Sequence, residues 1–409
     1  MTRRDVSVDV LVVGAGPAGL AVAARLARAG AGRVEVLERE EEAGGAPRHS
    51  PHGAFGGPAY PWSPLAAPPF PRLRGPQYAR RAVEAAVDAG ASVRTGVGAT
   101  GWAGPLSLEA TGPAGPERIT ARAVVLATGA RERPRGARLI PGTRPAGVLT
   151  TGELQRSVHR FGRSVGRRAV VVGAEPVARE AVRTLRGSGT EVVAMVTRHP
   201  RAGGAAGVPL LTSTTVGELF GHGRLSGVAV HHADGRTGVL ACDTVVFTGD
   251  WIPEHELARR GGVAMDPGTR GPAVDASFRT SAPGVFAVGD ALHGIERAAT
   301  AAFEGARAAA PVLAHLSGAP WPEPGPRLVV RAPWAWVVPN RFTVPAGRPL
   351  LLRSGEALTA PVVTAEQDGR PLWRRRIPGR VSPARSLRLP PGWTGRVDPG
   401  GGPVVLGLG

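Results

Sequence analysis

The sequence predicts an α/β fold, with two doubly wound parallel-sheet domains followed by a small C-terminal β-rich domain. Three observations carry this reading. A buried strand, a glycine-rich turn, a helix and a second strand follow one another over residues 8–38. The same order returns near residue 166, so the chain holds an internal repeat of a strand–helix–strand unit. After residue 318 the alanine-rich helical texture stops, and short apolar pieces alternate with Pro and Gly turns. A length of 409 residues suits two or three domains. The expected boundaries are 1–155 with 275–318 for a discontinuous first domain, 156–274 for the second and 320–409 for the third.

In the first unit, Val8 and Val10–Val13 form a short β-branched run of the buried-strand type, Gly14–Gly19 is the turn, Leu20–Ala29 has helical composition, and Val34, Val36 and Leu37 open the next strand. Residues 51–76 hold eight prolines and predict a long irregular loop. Its Phe55, Tyr60, Trp62 and Phe70 suit a lid, a docking surface or a loosely packed surface. Helix resumes over 77–90, with Tyr78, Ala82, Val83, Ala86 and Val87 on one face. Residues 91–128 read as a small β element ending in the buried run Ala123–Ala127. The second unit comprises a strand at Arg168–Val172, a turn at Gly173–Ala178, a helix at Val177–Arg186, a strand at Glu191–Val196 and a closing strand at Thr244–Thr248. A last strand at 284–289 runs into a helix from about Gly294 to Leu316. In 320–409, Asp368–Gly369 between two extended runs signals a hairpin, and Pro371 marks an edge strand.

Composition removes several functions. Cys242 is the single cysteine, which excludes an intrachain disulfide, a redox-active pair, a cysteine-held iron–sulfur cluster and a structural zinc site. The chain has no lysine, so Schiff-base chemistry and Walker-type phosphate loops are excluded too. Its net charge of +18 raises a nucleic-acid hypothesis, but the complete replacement of lysine by arginine reads as genomic bias, and no nucleic-acid partner is expected. The C-terminal domain holds 13 Arg against five acidic residues, Arg374–Arg376 among them, read as a solvated edge that resists aggregation. No run of 18 apolar residues occurs, so no transmembrane segment is expected. Asp5 and Asp9 interrupt the N-terminal apolar run, which argues against a signal peptide and for a cytoplasmic protein.

Chemistry is carried by the turns. Gly14-Ala-Gly16-Pro-Ala-Gly19 is a G-x-G-x-x-G turn between a buried strand and a helix, followed by Glu38 at the end of the next strand. Gly14 permits the tight turn, Gly16 lets a pyrophosphate approach the backbone, and Gly19 lets helix and strand pack closely. The helix N-terminus offers free N–H groups to the phosphates, and Glu38 can accept hydrogen bonds from ribose hydroxyls while disfavouring a 2′-phosphate. Two further strands end in small-residue turns, Val124–Gly129 (with Thr128) and Gly284–Asp290. A carboxylate at Asp290, after Gly289, suits the hydroxylated ribityl chain of FAD, and a helix following it would aim its positive end at the flavin.

With these pieces in place, the sequence resembles the two-dinucleotide-domain flavoproteins, the superfamily of the pyridine-nucleotide disulfide reductases, whose domains are Rossmann-like. The matching residues are the Gly14 turn with Glu38, Gly44-Gly45, Ala127-Thr-Gly129, the turn at Gly173 and Gly289-Asp290. More narrowly, Gly44–His49, Ala127–Pro134 and Gly147–Thr150 resemble the FAD-binding subunits of opine oxidase, hydrogen cyanide synthase and glycerol-3-phosphate dehydrogenase-linked flavoproteins. The resemblance implies that Gly14, Gly16, Gly19, Glu38, Gly129 and Asp290 contact FAD, with Arg39, Gly45, Arg48, Thr128, Gly289 and His293 as neighbours.

Departures from that pattern sharpen it. Disulfide reductases carry two cysteines just after Gly-Gly, whereas this chain has Ala46-Pro-Arg-His-Ser50, so disulfide reduction through a protein dithiol is excluded. In the second turn, Glu175 stands where backbone must approach a pyrophosphate, which blocks and repels it; NAD(P)H is therefore expected to bind weakly or not at all, and Arg198 would favour NADPH if either binds. His49 and His52 are candidates for the base that takes a substrate proton, the alternatives being loop histidines or flavin-phosphate ligands. Arg48 suits a substrate carboxylate or the FAD pyrophosphate. His293 suits a hydrogen bond near the flavin ring or a solvated helix start. Glu132 and Arg133 are expected to pair with each other. The expectation is an FAD-dependent dehydrogenase, or its FAD subunit, for a small amine, amino-acid-like or polyol substrate, with electrons passed to a partner protein or quinone-type acceptor. The alternatives are an NAD(P)H-dependent flavin reductase and a flavoprotein subunit with no turnover of its own.

Overall fold

The computed structural model of the protein describes residues 3–52, 55, 73–294, 296–343 and 349–409. Tyr60, Trp62 and Phe70 of the proline-rich loop lie outside the described residues; Phe55 pairs with Leu73 and packs on Tyr78 at 5.9 Å.

The first unit opens with β1 (Arg4–Val13), α1 (Pro17–Arg28) and β2 (Val34–Glu38). After α2 (Gly75–Asp88) come β3 (Ser92–Thr95), β4 (Gly98–Gly104), β5 (Ser107–Gly112) and β6 (Gly115–Leu126). β1 is central, pairing in parallel with β2 through Val10↔Val34 and with β6 through Val10↔Ala123. Both of its faces are covered, which is why Val10, Leu11 and Val12 are completely buried and read as an unbroken apolar run. Residues 91–128 are not a separate β element as the sequence suggested. β3 extends the main sheet beside β2, and β6 enters its centre beside β1; the long apolar end of β6 is that of a strand buried on both faces.

A short strand, β7 (Ala130–Glu132), leads out of this sheet. The second unit then forms from β8 (Val148–Thr150), α3 (Thr151–Gln155), β9 (Arg168–Val172), α4 (Pro176–Gly187), β10 (Glu191–Val196) and β11 (Leu210–Leu211). An antiparallel sheet of β12 (Thr214–Phe220), β13 (Gly227–His232) and β14 (Thr237–Ala241) follows. β15 (Thr244–Phe247) completes the parallel sheet, whose order is β11-β10-β9-β15-β8. β16 (Trp251–Pro253) pairs back onto β7 as a two-stranded link, and α5 (Glu256–Arg260) follows it. β17 (Val285–Ala287) rejoins the first sheet beside β6, and α6 (Ala298–Leu316) lies against α1. That sheet thus draws on two separate stretches of chain. The helix after Gly289-Asp290 starts at Ala298 and not near Gly294. The Asp290 side chain accepts the Glu296 N–H at 3.0 Å, just ahead of the helix.

Beyond α6 the regular elements are mainly strands: β18 (Leu328–Val330), β19 (Trp334–Val338), β20 (Leu350–Ser354), β21 (Leu358–Thr359), β22 (Val362–Gln367), β23 (Arg370–Arg376), β24 (Arg380–Val381), β25 (Leu387–Leu389) and β26 (Val404–Leu408). They build the sheets β18-β26-β22-β23 and β19-β20-β25 around their own core of Trp334, Phe342, Leu352, Val363, Leu389 and Leu406. Asp368 and Gly369 both have positive φ (49° and 76°), the backbone that a two-residue hairpin requires. β23 is an edge strand that carries Pro371 and the exposed Arg374–Arg376. Cys242 is buried in the second unit, and burial pushes its thiol up to about 11, as suits an inert core residue. Among the described residues no helix is long and apolar enough to cross a membrane.

Candidate functional site

The carboxyl ends of β1, β2, β6 and β17 meet at one edge of the first sheet, where an open α/β sheet presents its crevice. Most of the sequence-predicted residues converge there, His52 being the exception. Gly44 donates its N–H to the Ala15 carbonyl at 2.8 Å. A Cβ on Gly45 would lie only 2.8 Å from Gly16 Cα, so the Gly44-Gly45 segment runs directly over the first turn. A Cβ on Gly289 would lie 2.6 Å from the Ala18 methyl, which sets Asp290 beside the first turn of α1. Glu38 is buried at the end of β2, where its carboxylate accepts the Ala15 and Glu40 N–H groups, each at 3.0 Å. Those bonds fix its orientation and leave lone pairs for ribose hydroxyls.

The three glycines of the turn divide into two kinds. A Cβ on Gly14, whose φ is +107°, would run into the Ala127 carbonyl, and one on Gly19 would run into the Gly14 carbonyl; the fold itself requires both. Gly16 has φ −83°, which any residue adopts, and a Cβ there would meet no atom of the described residues within 4 Å beyond its chain neighbours. The protein does not need glycine at this position, but a phosphate brought against the backbone at the N-terminus of α1 does. These residues fit the pyrophosphate and ribose of FAD.

Around this cradle, Gly45 leads into a 3-10 turn, Ala46–His49. Arg48 bonds the Glu40 carboxylate and the Glu42 carbonyl, so its guanidinium is committed to acidic neighbours. His49 Nε2 lies 3.0 Å from Arg48 and 3.5 Å from Glu40. Burial, then the Arg48 charge, hold its pKa below the usual 6.5 and outweigh Glu40, so the ring is neutral at neutral pH. His52 faces elsewhere: its ring meets His159 edge-on at 5.4 Å, beside α4 of the second unit. Thr128 donates to the Glu254 carbonyl at 2.7 Å, and the Glu254 N–H donates to the Gly129 carbonyl at 2.8 Å. Arg39 reaches the Glu254 carboxylate at 3.4 Å while remaining largely exposed. Glu254, which the sequence reading missed, therefore ties the Thr128-Gly129 turn to Arg39; a lone acid after a Pro carries no motif that could have singled it out.

Burial pushes the Asp290 carboxyl up to about 6. His293 is completely buried, which corrects the solvated helix start; its Nδ1 lies 3.0 Å from the Gly294 carbonyl and its Nε2 3.3 Å from Glu304. Glu132 and Arg133 do not pair: each takes its own partner, Glu132 within β7 and Arg133 just beyond its end. Arg133 binds Asp250 at 3.0 Å, while Glu132 turns inward and accepts the Gly152 N–H at 3.0 Å.

In the second turn Glu175 folds back on itself. Its Oε2 accepts the Ala174 N–H at 3.0 Å and its Oε1 is buried without a hydrogen-bond partner among the described residues, against Gly173 and Gly249. A carboxylate thus sits at the N-terminal end of α4, where the first unit keeps an open backbone. Glu132 lies close enough to feel Glu175, and burial pushes its carboxyl up to about 7. For an acid whose folded pKa is raised, stability falls as pH climbs from about 4.5 to about 7 and stays lowered above that. Glu132→Gln is expected to abolish this fall and to stabilise the protein at pH 8 by about 3 kcal/mol. Urea unfolding at pH 5 and pH 8 checks it; an equal effect of the substitution at both pH values would contradict it.

Two doubly wound units in series, the first with a dinucleotide cradle closed by Glu38 and Asp290, define an FAD-dependent oxidoreductase. The family model for pyridine nucleotide-disulphide oxidoreductases matches residues 8–305, and the chain belongs to that family. It is 28% identical over 364 residues to an opine oxidase chain of Agrobacterium tumefaciens (strain Ach5), one of that enzyme's subunits, covering 77% of this chain and 69% of that one. It is 33% identical over 150 residues to the alpha chain of sarcosine oxidase from Rhizobium meliloti (strain 1021), likewise a subunit, covering 36% of this chain and only 15% of that one. Among solved structures, thioredoxin reductase of T. acidophilum superposes with a TM-score of 0.59 at 23% identity, over 75% of this chain and 97% of that one, a likeness of fold.

Proposed function

We propose that the protein is an FAD-dependent dehydrogenase, or the FAD subunit of one, that oxidises a small amine or amino-acid-like substrate and passes the electrons to a protein or quinone-type acceptor. The observation that carries this is the second turn: Glu175 fills its own phosphate position with a carboxylate, which disfavours a nicotinamide there and supports an organic electron donor. The segment after Gly44-Gly45 holds no cysteine, so they do not leave through a protein dithiol. The names of two relatives, which refer to opine and sarcosine, favour an amine donor over a polyol, and both names denote subunits, which favours a partner chain.

Bound FAD supplies a two-electron acceptor for the substrate hydride. In this reading Gly14, Gly16 and Gly19 receive its pyrophosphate, Glu38 its ribose and Asp290 its ribityl chain, while Gly45, Thr128, Gly129 and Gly289 shape the cradle. Arg39 lies on its rim, and Arg48, held by Glu40 and Glu42, braces the segment after Gly45. His49, neutral and half-buried beside the cradle, takes the amine proton at a ring nitrogen. His52, packed against His159, is less suited to that role. The test is anaerobic addition of secondary amines, amino acids and polyols to the yellow protein. Loss of the oxidised-flavin band with an amine is expected; bleaching by dithionite alone would favour a flavoprotein subunit with no turnover of its own.

A further inference from the structure

The turn after Asp290 is held from two sides by groups that the FAD cradle does not use. His293 Nδ1 faces the Gly294 carbonyl at 3.0 Å and its Nε2 faces Glu304 at 3.3 Å. Both partners are acceptors, and a neutral imidazole has only one N–H to give. The ring in this setting is therefore an imidazolium. It stacks on Trp336 of β19, with ring centres 5.1 Å apart and planes 8° from parallel, an arrangement that favours a cation. The Arg353 guanidinium of β20 lies 5.1 Å from the same Trp336 ring. Arg353 also bonds Glu296, and the Ser386 hydroxyl donates to Glu296 at 2.6 Å. The Glu296 N–H in turn donates to Asp290. Three side chains of the C-terminal β unit thus reach the turn that presents Asp290.

We propose that His293 is a positioning residue for FAD. Ion-paired to Glu304 and stacked on Trp336, it fixes the segment that follows Asp290 and with it the Asp290 carboxylate, so that the C-terminal β unit governs how firmly the cofactor is held. This rests on the reading that Asp290 receives the ribityl chain, and it moves His293 from touching the flavin to acting through Asp290. Among the described residues, the charged groups facing the imidazolium are Glu304 from α6, with Arg307 one turn on, Asp290 and Glu296, and Arg353 from β20 across Trp336. Burial by itself lowers the His293 pKa, but Glu304, Asp290 and Glu296 outweigh it and push it up to about 9. Because the folded pKa lies above the ordinary 6.5, the stabilisation is complete below pH 6.5 and is lost as pH rises through about 9.

The experiment titrates full-length apoprotein with FAD by flavin fluorescence, for wild type, His293→Gln, Trp336→Phe and Asp290→Asn, between pH 7 and pH 10. At pH 7 His293→Gln and Trp336→Phe should bind FAD roughly tenfold more weakly with unchanged far-UV circular dichroism, the order expected when one partner of a buried charged pair is removed. Wild-type affinity should fall as pH passes about 9, and His293→Gln should be flat there. If His293→Gln does not fold, Trp336→Phe and the wild-type pH profile decide. Binding of both variants within about twofold of wild type, together with weak binding by Asp290→Asn, would overturn the proposal. A normal Asp290→Asn would instead overturn the assignment of Asp290 itself.

Discussion

Gly16→Val should yield a protein that folds normally and no longer holds FAD. At φ −83° and ψ −176° a valine meets no backbone strain, and its Cβ would project into space that no atom of the described residues occupies within 4 Å. The apoprotein's melting temperature should therefore stay close to that of wild type. FAD affinity should fall by at least roughly a hundredfold, or ~3 kcal/mol, because the side chain holds the pyrophosphate off the N–H groups of α1. Gly14 and Gly19 behave oppositely. Substituting either drives a side chain into a carbonyl of the turn, so the expected loss is of folded protein. Circular dichroism and FAD titration on the three variants separate the two kinds of glycine. A Gly16→Val protein that remained yellow would place the pyrophosphate elsewhere.

The second large effect is expected at Glu175. Its carboxylate takes the Ala174 N–H and occupies the N-terminal end of α4. A phosphate brought within about 4 Å of it would be repelled by about 4 kcal/mol at an effective dielectric of about 20. Glu175→Gly should free that N–H, remove the like charge and raise affinity for NADH or NADPH roughly a hundredfold. Glu175→Gln, which keeps the bulk and removes the charge, should fall between the two. Fluorescence titration with each nucleotide distinguishes these outcomes, and a Glu175→Gly protein as indifferent to nicotinamide as wild type would show that more than this side chain closes the second site.

The cradle was legible in the sequence because its determinants are local. A glycine turn after a buried strand, an acid at the end of the next strand and Gly289-Asp290 after another strand are each set by a few consecutive residues, and the crevice geometry follows from parallel pairing. What stayed hidden depends on residues far apart in the chain. Nothing near His293 announces that Trp336 stacks on it or that Glu304 faces it. Sequence adjacency misled at Glu132 and Arg133, which take partners far along the chain, Gly152 and Asp250. It misled again beyond Asp290, where a side-chain hydrogen bond delays the helix to Ala298. His49 and His52 look equivalent along the chain, and only packing separates a ring beside the cradle from one against His159.

The most direct measurement of the proposed electron path is an anaerobic reduction of the purified flavoprotein, followed at the flavin absorbance, with NADH, then NADPH, then a secondary-amine amino acid such as sarcosine. The spectrum should be unmoved by either nucleotide and bleached by the amine. Rapid bleaching by NADH or NADPH would contradict this path and make the protein a pyridine-nucleotide-dependent reductase.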